Sequence, residues 1–369
     1  MEWLQNAIED SYKKVKESSK RIGAGFPHAS VDGKYDSNEP GWWTAGFWPG
    51  TLWQLYRLKD DQTFKDIATE IEQKLDEVMF DYYRLDHDIG FMWTLTAVAH
   101  YKLRGNEDAK RRALLAANLL VGRFNANGNY IRAWNPWSPG EDNRGLAIID
   151  CMMNLPILFW ASEETGDPRF RSIATLHANT VLEHFIRADG SVQHIVDFDP
   201  ETGEVVGKLG GQGFAPNSAW SRGTAWALYG FSLCYQYTKD EKYLHAAQRV
   251  AHFFIAHLPK DHVPVWDFRI PQEVKKYRDT SAGAIAACGL LVLGKLTNDE
   301  SASVYHGAGV NILQSLYENY GSWDQDEEGL ILEGTSHYPE QKFLKNPLIY
   351  GDYYFVEGLS ILHGEGLFW

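Results

Sequence analysis

Two aspartates stand in settings suited to proton transfer. Asp150 lies within the apolar run Leu146-Ala-Ile-Ile-Asp-Cys-Met-Met-Asn-Leu-Pro156. Burial disfavours the anion, so this carboxyl is expected to hold its proton near neutral pH and act as a general acid. The competing reading is a structural aspartate tied to a neighbour. Asp88 lies in Leu85-Asp-His-Asp-Ile-Gly-Phe-Met-Trp93, where a helix should begin. It suits an N-cap, and free helix N–H groups would lower its pKa. The pair would then divide its roles, with Asp88 ionised and Asp150 protonated. His87 and His194 are candidate contacts to a ligand, with a plain packed or surface histidine as the alternative. Arg222, in Trp220-Ser-Arg-Gly-Thr-Ala-Trp226, could hold a carboxylate in two-point fashion or simply stack on tryptophan. Trp43, Trp134, Trp137 and Trp226 offer flat faces for sugar rings, or core packing. Carboxylates in an aromatic pocket indicate carbohydrate chemistry.

Other chemistries lack their signatures. The sequence has no phosphate-cradling GxxxxGK[ST], no GxGxxG opening a helix, no GxSxG and no HExxH. Its thirteen histidines are scattered, and no Cys/His cluster suggests zinc.

The net charge of −14 argues against nucleic acid as a partner, because phosphate binding needs basic surface. An anionic ligand would depend on a few local Arg or Lys. Cys151, Cys234 and Cys288 each sit in apolar surroundings and read as buried thiols. The N-terminus lacks a basic and apolar export pattern, and no run is long enough to cross a membrane. A cytoplasmic protein is the expectation; oligomeric state is not readable.

The elements that must position these residues are helical. Five segments begin with a good capping residue followed by an amphipathic run: Asp61, Asn106, Asp167, Asp240 and Asp299. They recur at intervals suited to helical hairpins. An opening helix from Trp3 to Ser19 supplies a sixth unit. Between them lie more apolar helices, expected over 48–58, 89–103, 146–165, 224–237, 282–296 and 353–363. Short strands are expected near Val192–Asp197 and Val263–Phe268. Apolar inner helices covered by capped outer ones favour a closed ring over an open solenoid. The expectation is an all-α (α/α)6 barrel of six helical hairpins, formed as one domain over 1–369.

The sequence also resembles glycoside hydrolase family 88, the unsaturated glucuronyl hydrolases. The resemblance rests on Arg21-Ile-Gly-Ala-Gly-Phe-Pro-His28, Trp43-Thr-Ala-Gly-Phe-Trp48, His87-Asp-Ile-Gly-Phe91, Ile149-Asp-Cys-Met-Met-Asn-Leu-Pro156 and Trp220–Trp226, and continues through Trp266-Asp-Phe268, Tyr277–Ala282 and Tyr350-Gly-Asp-Tyr-Tyr354. It implies the same barrel, no cofactor, and an unsaturated oligosaccharide from a lyase as substrate. It further implies hydration of the C4=C5 vinyl ether, with Asp150 as acid/base and Asp88 as a second essential carboxylate. Trp43, His87, Trp134, His194, Gln212, Arg222 and Trp226 match substrate-contacting positions. Some relatives contact sulfate through a loop matching Ser336–Lys345, where Lys342 and Lys345 are either sulfate contacts or plain solvated lysines. Rival functions are an unsaturated rhamnogalacturonyl hydrolase, a sugar epimerase on a similar barrel, and a non-catalytic sugar-binding protein.

Overall fold

The computed structural model describes residues Met1 to Trp369, apart from the side chain of Tyr82. Among the described residues, twelve helices alternate between two rings. The outer ring holds α1 (Glu2–Ile22), α3 (Gln62–Phe80), α5 (Glu107–Val121), α7 (Pro168–His184), α9 (Glu241–Ala256) and α11 (Ser301–Tyr320). The inner ring holds α2 (Phe47–Lys59), α4 (89–104), α6 (Pro156–Thr165), α8 (Ser221–Thr238), α10 (Thr280–Leu296) and α12 (Ile349–His363). Helix α4 is continuous but carries a π-helical segment, Thr94–Val98, in its middle. The ring closes because α12 packs on both α10 and α2. The architecture is the expected (α/α)6 barrel.

Helix type follows from sequence pattern. Outer helices bury one stripe, as in Phe64, Ala68, Ile71 and Leu75 of α3. Inner helices are buried nearly all round. In α10 every residue from Thr280 to Leu293 is buried, and Gly and Ala keep the backbones close. The anticipated caps form at four outer helices: Asp61, Asn106, Asp167 and Asp240 each accept a backbone N–H from the first turn. Asp299 lies one residue before the cap position of α11, yet its carboxylate still accepts from Ser301 N at 2.8 Å.

Two expectations need correction. The apolar run from Leu146 is not one helix. Leu146–Ile148 is a strand, Ile149–Met153 a 3₁₀ turn, and α6 begins only at Pro156. The strand pairs with Ile195–Phe198, which pairs in turn with Val205–Leu209, so its backbone groups are satisfied sideways. Apolar content alone does not separate a buried strand from a buried helix. The segment Val263–Phe268 makes only isolated bridges, Trp220 with Asp267 and Val265 with Arg278. Cys151, Cys234 and Cys288 are free and buried, as expected. Among the described residues, no helix is long and apolar enough to cross a membrane.

All six inner helices begin on the same face of the barrel, where the outer helices end. The connections on that face carry the short strands and nearly every residue singled out above. Because the caps act independently, Asn106→Ala is expected to lower unfolding free energy by about 1 kcal/mol. Thermal or urea unfolding measures this. An unchanged midpoint would mean the Asn106 to Ala109 N–H bond at 2.8 Å contributes nothing.

Candidate active site

The cleft is built where inner-helix N-termini converge. Asp88 precedes α4, Asp150 lies in the turn before α6, Arg222 is in the first turn of α8, Asp279 caps α10, and Tyr350 opens α12. Trp43 stands in the 3₁₀ turn leading to α2, with its ring 4.9 Å from that of Tyr350.

Asp88 is buried, but it does not cap α4 with its side chain. Its Oδ1 accepts from Asn154 Nδ2 at 3.0 Å, while Asn154 Oδ1 accepts from Phe91 N at 2.7 Å. Asn154 therefore satisfies the helix start and fixes the carboxyl together. This contact demands glycine at position 90, where a Cβ would lie 2.4 Å from Asn154 Cα. The Asp88 backbone N–H donates to Asp86 Oδ1 at 2.8 Å. Burial, then the nearby charges of Asp86 and Asp150, push the Asp88 carboxyl well above the usual range.

Asp150 behaves oppositely. Burial pushes its pKa up most strongly, but the adjacent His194 and then the Arg222 charge together outweigh burial and hold it below the usual carboxylate value. Its Oδ2 lies 3.6 Å from His194 Nε2 and has no closer partner, and its side chain keeps 17 % exposure. His194 Nδ1 is 3.0 Å from both Gln212 N and Gly210 O. Gln212 N–H can only donate and Gly210 O can only accept, so the two contacts at Nδ1 call for opposite tautomers of the ring. Gly211 allows this loop to approach; a Cβ there would sit 2.3 Å from His194 Nδ1.

The expected directions are thus reversed: the surroundings push the Asp88 pKa up and hold the Asp150 pKa down. The reason is partners rather than depth. Asp88 is surrounded by other acids and a neutral amide, whereas Asp150 faces His194 and the Arg222 charge.

Arg222 is also placed differently from a free anion clamp. It is fully buried, with Nη1 bonded to Asp279 (2.7 Å) and Thr335 O (2.7 Å), and Nη2 bonded to Gln212 Oε1 (3.2 Å) and Ser336 O (2.6 Å). Its four terminal N–H groups are committed, so two-point capture of a sugar carboxylate would break existing bonds. Arg222 instead orients Gln212, anchors the 335–336 backbone and charges the cleft wall. Trp226 is a second correction. It has no accessible surface and packs on Phe91 (5.2 Å) and Tyr354 (5.4 Å), so it is wall rather than stacking face. His87 is also fully buried. Burial lowers its pKa to about 3, so the ring is neutral, with Nε2 3.4 Å from Asp88 Oδ1.

Trp43 and Trp134 are partly buried and keep open surface. Trp137 is 66 % exposed on an outer loop. Lys342 and Lys345 pair with Glu340 at 2.6 Å and Glu333 at 3.2 Å. Among the described residues, no group of three His, Cys, Asp or Glu side chains could hold a metal.

Sequence reasoning missed Asn154 and Asp279, although both lie in the quoted motifs. Their value comes from partners far along the chain: Asn154 fixes Asp88, and Asp279 both caps α10 and neutralises Arg222.

The family signature described as Glycosyl Hydrolase Family 88 matches residues 17–291. The chain belongs to this family. It is a glycoside hydrolase. It is 38 % identical over 361 residues to the unsaturated glucuronyl hydrolase of Bacillus sp. (strain GL1), covering 96 % of this chain and 95 % of that protein. It is 35 % identical to an unsaturated chondroitin disaccharide hydrolase of Streptococcus pyogenes serotype M1, covering 96 % of this chain and 90 % of that protein. The crystal structure of the Bacillus sp. GL1 enzyme superposes with a TM-score of 0.94 at 37 % identity, covering 98 % of this chain and 97 % of that one. A Streptococcus agalactiae glucuronyl hydrolase mutant complexed with dGlcA-GalNAc6S superposes with a TM-score of 0.84 at 30 % identity, covering 99 % and 93 %.

The reversed directions are testable by infrared difference spectroscopy near neutral pH. Asp88→Asn is expected to remove a protonated-carboxyl C=O band, and Asp150→Asn to remove a carboxylate band. The opposite assignment would show that burial outweighs His194 and Arg222 at Asp150.

Proposed function

We propose that this hydrolase removes a 4,5-unsaturated uronic acid from the non-reducing end of small glycosaminoglycan-type oligosaccharides made by lyases. The observation that carries the reading is a pair of acids in contrasting surroundings at the inner-helix starts: Asp150, partly open and beside His194, and Asp88, buried and fixed by Asn154. The names of the glucuronyl and chondroitin disaccharide hydrolases support it.

The substrate carries a C4=C5 double bond in an enol ether, conjugated to the C6 carboxylate. Such a bond is activated for protonation at C4. The proposed reaction adds a proton to C4 and water to C5. The resulting hemiketal opens, C1 releases the aglycone, and a keto sugar acid remains. Water is consumed and no redox partner is needed.

Asp150 acts as the acid/base. At rest it is ionised, but a bound substrate carboxylate is a like charge and raises its proton affinity, loading it for transfer to C4. Once deprotonated, it accepts the proton of the water that attacks C5. Asp88 remains neutral. It can donate a hydrogen bond to the substrate without adding a third negative charge beside Asp150 and the sugar carboxylate. His194 lies beside Asp150 with Gln212 N bonded to its ring, and Trp43 and Trp134 offer open ring faces.

Incubation with lyase-generated unsaturated disaccharides is expected to bleach the ultraviolet band of the conjugated enol ether. Asp150→Asn should retain binding and lower kcat by about a hundred- to ten-thousandfold, the range that general acid–base assistance contributes. Undiminished turnover in that variant would remove Asp150 from the mechanism. The pH profile gives a second test. His194 lowers the Asp150 pKa, so in His194→Ala the carboxyl holds its proton to higher pH. If Asp150 is the acid, the alkaline limb of kcat moves upward. A downward movement contradicts the assignment.

A further inference from the structure

Among the described residues, the large exposed aromatic side chains are Phe80, Tyr83, Trp137 and Phe214, at 91, 61, 66 and 41 % exposure. All four lie on the face where inner helices begin: Phe80 ends α3, and the others sit in connections leading into α4, α6 and α8. Single exposed apolar residues need no explanation, but their grouping on the cleft face does.

The connections that carry Tyr83 and Trp137 are tied together through their backbone. Asn135 Nδ2 donates to the carbonyls of Tyr83 and, at 3.2 Å, Leu85. Arg123 joins the same two connections, donating to Leu85 O (3.0 Å), Asn135 Oδ1 (3.3 Å) and Ala133 O (2.9 Å). The Trp137 loop is closed at its base by Asn143 Nδ2 to Asn135 O at 3.1 Å. At its tip Glu141 accepts from Trp137 N and Ser138 Oγ, each at 2.8 Å. The indole is therefore exposed on an ordered support, so binding against it loses little loop entropy.

These loops run directly into the cleft. His87 N donates to Ala133 O at 3.0 Å, which places Trp134 beside the Asp88 turn, and Trp137 follows three residues further out. Trp134 and Trp137 thus lie on one loop that runs from the Asp88 turn to an exposed tip.

We propose that Tyr83 and Trp137 form an outer platform for the sugar units beyond the one attached to the cleaved uronate. Its ligand is the reducing-end portion of an unsaturated oligosaccharide longer than a disaccharide. This rests on the proposed function, because it takes the uronate to lie at Asp150. Aromatic faces stack on the apolar faces of pyranose rings without reading their substituents. The platform therefore favours length over any particular sugar.

The experiment compares kcat/KM for an unsaturated disaccharide and a tetrasaccharide of the same polymer. The wild type should prefer the tetrasaccharide. In the Tyr83→Ala/Trp137→Ala double variant, the tetrasaccharide-to-disaccharide ratio should fall by roughly three- to tenfold, the size of one aromatic stacking contact. The loss should appear in KM, and Trp137→Phe should recover part of it. An unchanged ratio, or equal losses on both substrates, overturns the platform. Sedimentation that shows a wild-type dimer lost in the double variant, with the ratio unchanged, would give the patch to a second copy of the chain. Failure of the wild type to act on the disaccharide would instead overturn the reading of the site itself.

Discussion

The site depends on an electrostatic asymmetry between two carboxyls that share one cleft. His194 and Arg222 stabilise charge on Asp150. Asp86, Asp150 and burial suppress it on Asp88. Two like charges in so confined a space cannot both be favourable, so the proton settles where counter-charge is missing. Without His194, burial at Asp150 would go largely uncompensated and the contrast between the two groups would narrow.

The barrel supplies this asymmetry by bringing six inner-helix starts together. Each contributes a short polar motif at the point where the chain leaves a connection and enters apolar packing. Arg222 shows how far the arrangement reaches: its guanidinium joins α8, the cap of α10, the Gln212 loop and the 335–336 backbone. A buried arginine with all terminal N–H groups paired is costly to disturb, because any lost partner leaves an unsatisfied charge. The same bonds make it an organiser of the cleft rather than a mobile hand for ligand. Away from the site, Glu357 shows the same economy of partners, accepting from Tyr229 (2.7 Å), Trp369 (2.7 Å) and Tyr353.

Much of the fold was legible from local pattern. The capped outer helices at Asp61, Asn106, Asp167 and Asp240 follow from residue type alone, and the apolar inner set follows from composition. The run from Leu146 was misread because strand pairing with Ile195–Phe198 is a tertiary event with no local signal. The place of Asp88 before a helix and of Asp150 in an apolar run was legible, but the directions in which their surroundings push each pKa were not. A cap at Asp88 looked natural from its place before α4; in fact Asn154, 66 residues away, takes the carboxyl. Likewise the Asp150 run shows burial but hides His194 and Arg222. Trp226 looked like a stacking residue because it ends a motif, yet helical periodicity turns it into the core.

The central claim is that Asp150 delivers a proton to C4 from one fixed side of the bound sugar. Turnover in deuterium oxide, read by NMR or mass spectrometry over the first turnovers, tests this most directly. The account predicts one deuterium at a single diastereotopic C4 position of the keto acid, released together with the aglycone. Early accumulation of free unsaturated uronic acid without deuterium at C4 would contradict it, because the glycosidic bond would then have broken before the double bond was touched.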